Sequence, residues 1–208
     1  QGAGVIAIGK HFPGHGDTGV DSHIALPTVP HDRTRLESVE FVPFKAAMKA
    51  APRVAGIMSA HITFPAIDAT PGLAATLSPK VLTGLLRDEM QYDGLVMTDE
   101  LTMGALATSG YPAPQAAVIA LKAGADILLF NKGFDLHRAA HALIVDAVRR
   151  GEIPPARVDD AVRRVLRVKM QFGISSDARN KDAKVGMPEI KTISRAVAAQ
   201  AVTLVRDE

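Results

Sequence analysis

The chain has 208 residues, of which 47% are hydrophobic and 22% charged, so it is long enough for one substantial globular domain and disorder is not expected. Lys and Arg total 24 against 22 Asp and Glu, and this nearly balanced charge does not indicate a nucleic-acid surface. The lack of Cys excludes disulfides and thiolate metal sites without deciding between cytoplasm and export, and no apolar stretch is long enough to predict a membrane span.

Near-continuous apolar runs alternate along the chain with amphipathic stretches. Four of these runs predict strands that are buried on both faces, at residues 4–9, 54–60, 94–98 and 125–130. The amphipathic stretches predict helices, several of them opened by Pro, at residues 44–50, 80–90, 115–124, 136–150 and 155–172. This order predicts right-handed β-α-β crossovers and a parallel sheet.

Four β-α units amount to half of an eight-stranded barrel. Because an open four-stranded parallel sheet leaves edges exposed, the units form either a doubly wound open sheet or a piece of a barrel.

The polar segment 175–184 is the predicted linker, and residues 193–205 are predicted as a final helix, or as a helix followed by a strand. The helix at 155–172 is expected to turn its apolar positions inward, namely Val158, Val162, Val165, Leu166 and Met170.

Polar side chains follow each of the four predicted strands at its carboxyl end. They are Lys10 and His11, then His61, then Asp99 and Glu100, and finally Asn131 and Lys132. In both parallel architectures the functional site forms at the carboxyl ends of the strands. We therefore expect the site at this edge of the sheet.

Asp99 closes the apolar run VMTD, where the backbone of a strand tip would fix its carboxylate. A carboxylate held in this way suits a nucleophile. The alternative is that Asp99 caps a helical segment that begins at Leu101, which is a common use of Asp. By strand alternation Glu100 points elsewhere, and we expect it to have a supporting role.

The run from Lys10 to His23, KHFPGHGDTGVDSH, places proton-handling groups on a loop rich in glycine. In the segment Asp21-Ser22-His23 the carboxylate can accept from one imidazole nitrogen and leave the other free to move a proton. Such a pair also occurs on many surface loops. A zinc site formed by His11, His15 and His23 is a minor alternative, because the intervening Phe-Pro-Gly cannot continue a helix. We interpret His15 as a residue that organises the loop, and we interpret His31, His137 and His141 as surface or helix residues.

Three segments together resemble glycoside hydrolase family 3, in its bacterial β-N-acetylglucosaminidase branch. They are KHFPGHGDTGVDSH, AGIMSAHITFPAID and ATLSPKVLTGLLRDEMQYDGLVMTDELTMGAL. The resemblance implies an α/β fold of the TIM-like (β/α)8 barrel type, to which this chain supplies about four β-α units as strands five to eight. Residues 1–173 would be the C-terminal half of the catalytic barrel, and residues 174–208 a linker and terminal helix leading towards a further domain.

Transferred residue by residue, the resemblance makes Asp99 the nucleophile, His23 the general acid/base and Asp21 its orienting partner. It makes Lys10 and His11 substrate-binding residues that hydrogen-bond an N-acetylglucosamine unit. The family chemistry requires no cofactor and no metal.

The function that this resemblance implies is that of a retaining exo-β-N-acetylglucosaminidase acting on peptidoglycan fragments or related oligosaccharides. The alternatives are a family 3 β-glucosidase and a non-catalytic half-barrel that serves as a sugar-binding module. The expected partner is a saccharide that contains N-acetylglucosamine, without nucleic acid or membrane. A missing N-terminal half-barrel or a homodimer partner would complete the barrel walls.

Overall fold

The computed structural model describes residues 1, 4–174 and 188–201. It divides into two compact units, Gln1–Gly173 and Ile174–Glu208, each of which is described by itself. The predicted linker at 175–184 and the last residues of the predicted final segment, 202–205, lie outside the described residues. None of the described helices combines the length and the apolar character needed to span a bilayer.

The first unit contains a four-stranded sheet in which every pair of neighbours is parallel, as predicted. Its order is β1-β2-β3-β4. The strands are β1 (Ile8–Phe12), β2 (Gly56–Ser59), β3 (Leu95–Glu100) and β4 (Ile127–Leu129). Because all four strands point the same way, their carboxyl ends lie along one edge of the sheet.

The first strand begins later than the apolar run predicts. Residues 4–9 were expected to form it, but β1 starts at Ile8, which pairs with Gly56, and ends at Phe12, which pairs with Ser59. Hydrogen bonding to β2 sets this register, whereas an apolar run reports only burial. Lys10 and His11 therefore lie within the strand and not after it.

Helices connect the strands and continue after the last of them. They are α1 (Arg33–Ser38), α2 (Val42–Lys49), a 3-10 turn (Ala75–Leu77), a π-helix (Lys80–Glu89), α3 (Gly104–Thr108), α4 (Ala113–Ala123), α5 (Phe134–Arg149) and α6 (Pro155–Gln171). In the second unit, α7 (Pro188–Ala201) contains residues 193–201 of the predicted final segment and begins before it. Sequence patterns did not predict α1, α3 or the 3-10 turn, since each is too short to show a periodicity.

The prediction for the inner face of α6 was partly wrong. Val168 packs against Leu95 and Ala55, whereas Val162, Leu166 and Met170 are 50%, 52% and 80% exposed. The apolar positions of this helix cover a wider arc than its contacts within the first unit can bury. Periodicity alone cannot say which part of such an arc is covered.

A buried cluster of ion pairs stabilises the sheet at the amino-terminal ends of its strands, opposite the carboxyl ends. The fully buried carboxylate of Asp126, which directly precedes β4, lies 2.6 Å from Arg87, 2.8 Å from Arg157 and 3.3 Å from Arg164. It also accepts a 3.0 Å hydrogen bond from the backbone N–H of Val96. One carboxylate therefore joins β3, β4, the π-helix and α6.

A second buried carboxylate, Asp68, gives the fold a pH dependence. Its burial alone would raise its pKa, but hydrogen bonds from Ser78, Thr70 and Lys80 outweigh burial and lower that pKa to about 2. Because the folded pKa lies below the unfolded value of about 3.9, the stabilisation is present above pH 4 and is lost as the pH falls towards 2.

We expect this group to contribute roughly 2 kcal/mol to the free energy of unfolding at pH 5, from about 1.4 kcal/mol per pKa unit. Urea unfolding at pH 5 and pH 3 measures the effect. The Asp68→Asn variant should be less stable at pH 5 and should lose less stability on acidification than the wild type. Equal losses in the two proteins would contradict this assignment.

Candidate functional site

Asp99 lies in β3 with its side chain 15% exposed, between the buried residues Thr98 and Glu100. One carboxylate oxygen, Oδ1, accepts a 2.8 Å hydrogen bond from the backbone N–H of Glu100. The other, Oδ2, lies 3.4 Å from Nε2 of His11 in β1. The helix that follows begins at Gly104 with Met103 as its N-cap, so the alternative interpretation of Asp99 as a helix cap was wrong.

The ring of His11 is half-buried beside this carboxylate. Burial lowers the pKa of His11, while the neighbouring Asp99 raises it by a smaller amount, and Lys10 and other histidines lower it further. His11 is therefore neutral at pH 7, and its ring lies directly beside the Asp99 carboxylate.

Lys10 is exposed and lines an open groove of about 860 Å³ beside β1. The ion pairs found among the described residues do not include this lysine, and its ammonium faces solvent next to the site. Asp17, Arg35, Glu40 and Phe44 line the same groove. The structure thus brings His11 to Asp99 but does not bring Lys10 into contact with either.

His61 is a residue for which the sequence predicted a place at a strand end but no role. Its side chain is buried, and its Nε2 donates a 2.9 Å hydrogen bond to the backbone carbonyl of Glu100. Its Nδ1 lies 2.9 Å from the Thr76 hydroxyl, which lies 2.8 Å from that of Ser59. Burial lowers the pKa of His61, so the ring is neutral and Nε2 carries the proton. The Thr76 hydroxyl donates to the carbonyl of Ala60 at 2.9 Å. This network fixes the backbone that directly follows Asp99.

The Glu100 carboxylate also has a structural role, as strand alternation predicted. It accepts hydrogen bonds of 2.9 and 2.7 Å from the backbone and hydroxyl of Thr102, and a 3.3 Å bond from the backbone of Asn131. Glu100 therefore ties the end of β3 to the residues after β4. The side chain of Glu100 is directed into these contacts, whereas Asp99 meets His11.

Asp21 and His23 form the pair that their spacing predicted. Oδ1 of Asp21 lies 2.8 Å from Nδ1 of His23 and 2.9 Å from its backbone nitrogen. The backbone hydrogen bond and the ring hydrogen bond together lower the pKa of Asp21. Both side chains are exposed, at 60% and 74%, and the contact leaves Nε2 of His23 facing solvent.

The loop that carries this pair is docked on the segment that follows β3. The backbone N–H of Gly104 donates to the carbonyl of His23 at 3.2 Å, and that of Ala105 donates to Ser22 at 3.3 Å. His15 holds the loop from within, with one ring nitrogen 3.0 Å from Thr18 and the other 3.0 Å from Ser22. These contacts agree with the loop-organising interpretation of His15. They also use both of its nitrogens, which argues against a zinc site formed with His11 and His23.

A parallel α/β sheet with a carboxylate and imidazoles at its carboxyl edge is a layout found in parallel α/β enzymes, among them the (β/α) barrels. Residues 1–168 match the family described as the glycosyl hydrolase family 3 N terminal domain, and the chain therefore belongs to glycosyl hydrolase family 3. This confirms the resemblance that the three motifs indicated. The family domain is a TIM-like barrel, of whose eight strands the four described here are half.

Individual relatives carry related names. A protein named beta-hexosaminidase from Alkalilimnicola ehrlichii is 44% identical over 127 residues, which cover 61% of this chain and 35% of that protein. A beta-N-acetylglucosaminidase/beta-glucosidase from Cellulomonas fimi is 32% identical and covers 100% of this chain and 38% of that protein. The solved family 3 beta-N-acetylglucosaminidase from Paenibacillus sp. str. FPU-7 superposes with a TM-score of 0.85 at 40% identity, covering 100% of this chain and 39% of that one. This chain thus spans less than two fifths of the length of each.

Proposed function

We propose that this chain carries the catalytic groups of a retaining exo-β-N-acetylglucosaminidase. The single observation that carries the proposal is that the loop bearing the Asp21–His23 pair is hydrogen-bonded to Gly104, in the segment that directly follows the strand bearing Asp99. A nucleophile and an acid/base must both reach one sugar, and two carboxylates in retaining enzymes stand ~5 Å apart. Docking of the loop on the segment that follows Asp99 supports such an arrangement.

The first displacement begins with attack by a carboxylate oxygen of Asp99 on the anomeric carbon. As that bond forms, the bond to the departing oxygen breaks, and Nε2 of protonated His23 gives its proton to this oxygen. Asp21 accepts from Nδ1 and stabilises the imidazolium before transfer. Neutral His23 then takes a proton from water, whose oxygen displaces the Asp99 carboxylate and releases the sugar with net retention.

The proposed substrate is a terminal N-acetylglucosamine on a peptidoglycan fragment or a related oligosaccharide. The names of the Alkalilimnicola and Paenibacillus relatives, a beta-hexosaminidase and a beta-N-acetylglucosaminidase, support the choice of the sugar. Lys10 and His11 are proposed to hydrogen-bond the sugar, because both side chains lie at the site edge of β1. The remaining barrel walls would come from a preceding half-barrel or from a partner, since the relatives are more than twice as long.

A β-glucosidase is the second candidate, favoured by the double name of the Cellulomonas fimi relative. We expect the chain, together with the half-barrel or partner that completes it, to hydrolyse a chromogenic N-acetyl-β-glucosaminide faster than the matching β-glucoside, and to release the β-anomer first in a ¹H NMR time course. The reverse preference would select the β-glucosidase. No turnover of either substrate by the completed barrel would select the non-catalytic sugar-binding alternative, and initial release of the α-anomer would exclude double displacement.

The docked loop gives a test of how the acid/base is positioned. A Cβ at Gly104 would lie 2.5 Å from the carbonyl oxygen of His23, so Gly104→Ala must displace the loop. We expect kcat to fall by up to about 10²-fold, the cost of a misplacement of about 1 Å. Gly16→Ala is the matched control, because its Cβ would meet no atom within 4 Å. Unchanged kcat in Gly104→Ala, with the fold intact by circular dichroism, would show that this docked position is not the one used in turnover.

A further inference from the structure

A second group of polar side chains lies apart from Asp99, and two of its members, Asp17 and Glu40, line the groove beside β1. Asp17, His31 and Glu40 each place one metal-ligating atom within 4.8 Å of the other two. Asp17 belongs to the loop that carries Asp21 and His23, whereas His31 and Glu40 flank α1. We propose that these three residues form a site for a divalent transition-metal ion, and that zinc is the ion that suits it best.

Glu40 supplies the reason to expect a cation. Its side chain is 7% exposed, and among the described residues its Oε2 has no hydrogen-bond partner. A buried carboxylate oxygen without a partner carries a large desolvation cost. The guanidinium of Arg35 lies 3.3 Å from the other oxygen, Oε1, and is itself 44% exposed, so it only partly balances this charge. A metal ion bound to Oε2 would supply the missing interaction.

The other two ligands already face each other. Nε2 of His31 lies 2.7 Å from Oδ2 of Asp17, so in the free protein an N–H on Nε2 donates to this oxygen. On metal binding the imidazole keeps one proton, which moves to Nδ1, and the lone pair of Nε2 and the oxygen of Asp17 both bind the ion. One imidazole nitrogen and two carboxylate oxygens form a donor set that zinc accepts, with water in the fourth position.

Zinc binding requires small movements of the ligand atoms. With zinc–ligand bonds of about 2.0–2.2 Å, the ligand atoms of a tetrahedral site stand roughly 3.4 Å apart. A pair at the 4.8 Å limit would therefore close by about 1.4 Å, whereas Oδ2 of Asp17 and Nε2 of His31, now 2.7 Å apart, would separate slightly. Asp17 can make this movement because its side chain is 60% exposed and the loop around it includes Gly16 and Gly19, where even an added Cβ would meet no atom within 4 Å. The bound ion would then link the loop to the segment around α1. Because the loop also carries His23, the ion would restrict the position of the acid/base, a consequence that rests on the proposed function.

The experiment is a calorimetric titration of the chain with zinc chloride, compared across four variants. We expect His31→Gln and Glu40→Gln to weaken the binding that wild type shows by at least about tenfold, since each removes a ligand. Arg35→Gln should strengthen it, since the guanidinium competes for the same carboxylates and repels the ion. His141→Gln, on the exposed side of α5, is the matched control and should bind as wild type does.

Equal zinc affinities in wild type and His31→Gln would overturn the site, as would weaker binding in Arg35→Gln. His31 is part-exposed, so this variant keeps the test valid even if Glu40→Gln fails to fold. The titration measures zinc affinity and not glycoside hydrolysis, so it tests the metal site separately from the proposed function. If the variants bind zinc with the expected ranking of affinities but the completed barrel hydrolyses no glycoside, the proposed function is contradicted and the metal site is supported.

Discussion

Replacing Asp99 with alanine is expected to lower kcat on a chromogenic N-acetyl-β-glucosaminide by about 10³-fold or more. The proposed reaction has no route to the glycosyl-enzyme intermediate once this carboxylate is gone, and residues that act as a unit with a nucleophile cannot replace it. The methyl group of alanine leaves space next to His11, whose Nε2 lies 3.4 Å from Oδ2 in the native protein. Initial rates of wild type and variant measure the effect.

Added sodium azide separates a lost nucleophile from a damaged fold. Azide is small enough to enter the space left by the carboxylate and to attack the anomeric carbon directly, which would restore turnover and yield the α-glycosyl azide. Asp93→Ala serves as the control, because this aspartate lies in an exposed pair with Arg53 and should leave kcat unchanged. Wild-type rates in Asp99→Ala would remove Asp99 from the role of nucleophile.

The largest expected effect on stability is at Asp126. Asp126→Ala would leave Arg87, Arg157 and Arg164 facing one another without their shared carboxylate, and the backbone N–H of Val96 without its acceptor. Breaking a buried ion pair by removing one partner costs about 3–5 kcal/mol. That is a large part of the stability of an ordinary domain, so we expect a sharply lower urea midpoint or failure to fold.

Two further variants keep this prediction testable. Arg164→Gln removes only the longest of the three contacts, at 3.3 Å, and should cost less than the loss of the carboxylate while still folding. Asp93→Ala removes an exposed ion pair with Arg53 and should cost at most about 1 kcal/mol. If Asp126→Ala were no less stable than Asp93→Ala, the buried cluster would not be what holds this edge of the sheet.

Much of the fold could be predicted from the sequence because strands buried on both faces and long amphipathic helices leave clear patterns. The runs around 54–60 and 94–98 and the helix near 80–90 all appear close to their predicted bounds. The register of β1 could not be predicted, since it depends on the pairing of Ile8 with Gly56. For the same reason Lys10 and His11 lie inside a strand.

The residues of the candidate site divide in the same way. Asp99, Asp21 and His23 could be named from short spacings and from the end of an apolar run. The role of His61 depends on its contact with the Glu100 carbonyl, 39 residues away. The docking of His23 on Gly104 likewise has no local signal, because it joins a loop to a segment about eighty residues further along the chain.

By itself the sequence determined the family, the parallel β-α order and the edge of the sheet at which polar groups collect. These follow from local periodicity and from motifs, which are written in consecutive residues. The tertiary structure alone decided that His11 meets Asp99, that the Asp21–His23 loop docks next to β3, and that Asp17, His31 and Glu40 come together. Such contacts depend on strand register and on long-range hydrogen bonds, and no short segment specifies either.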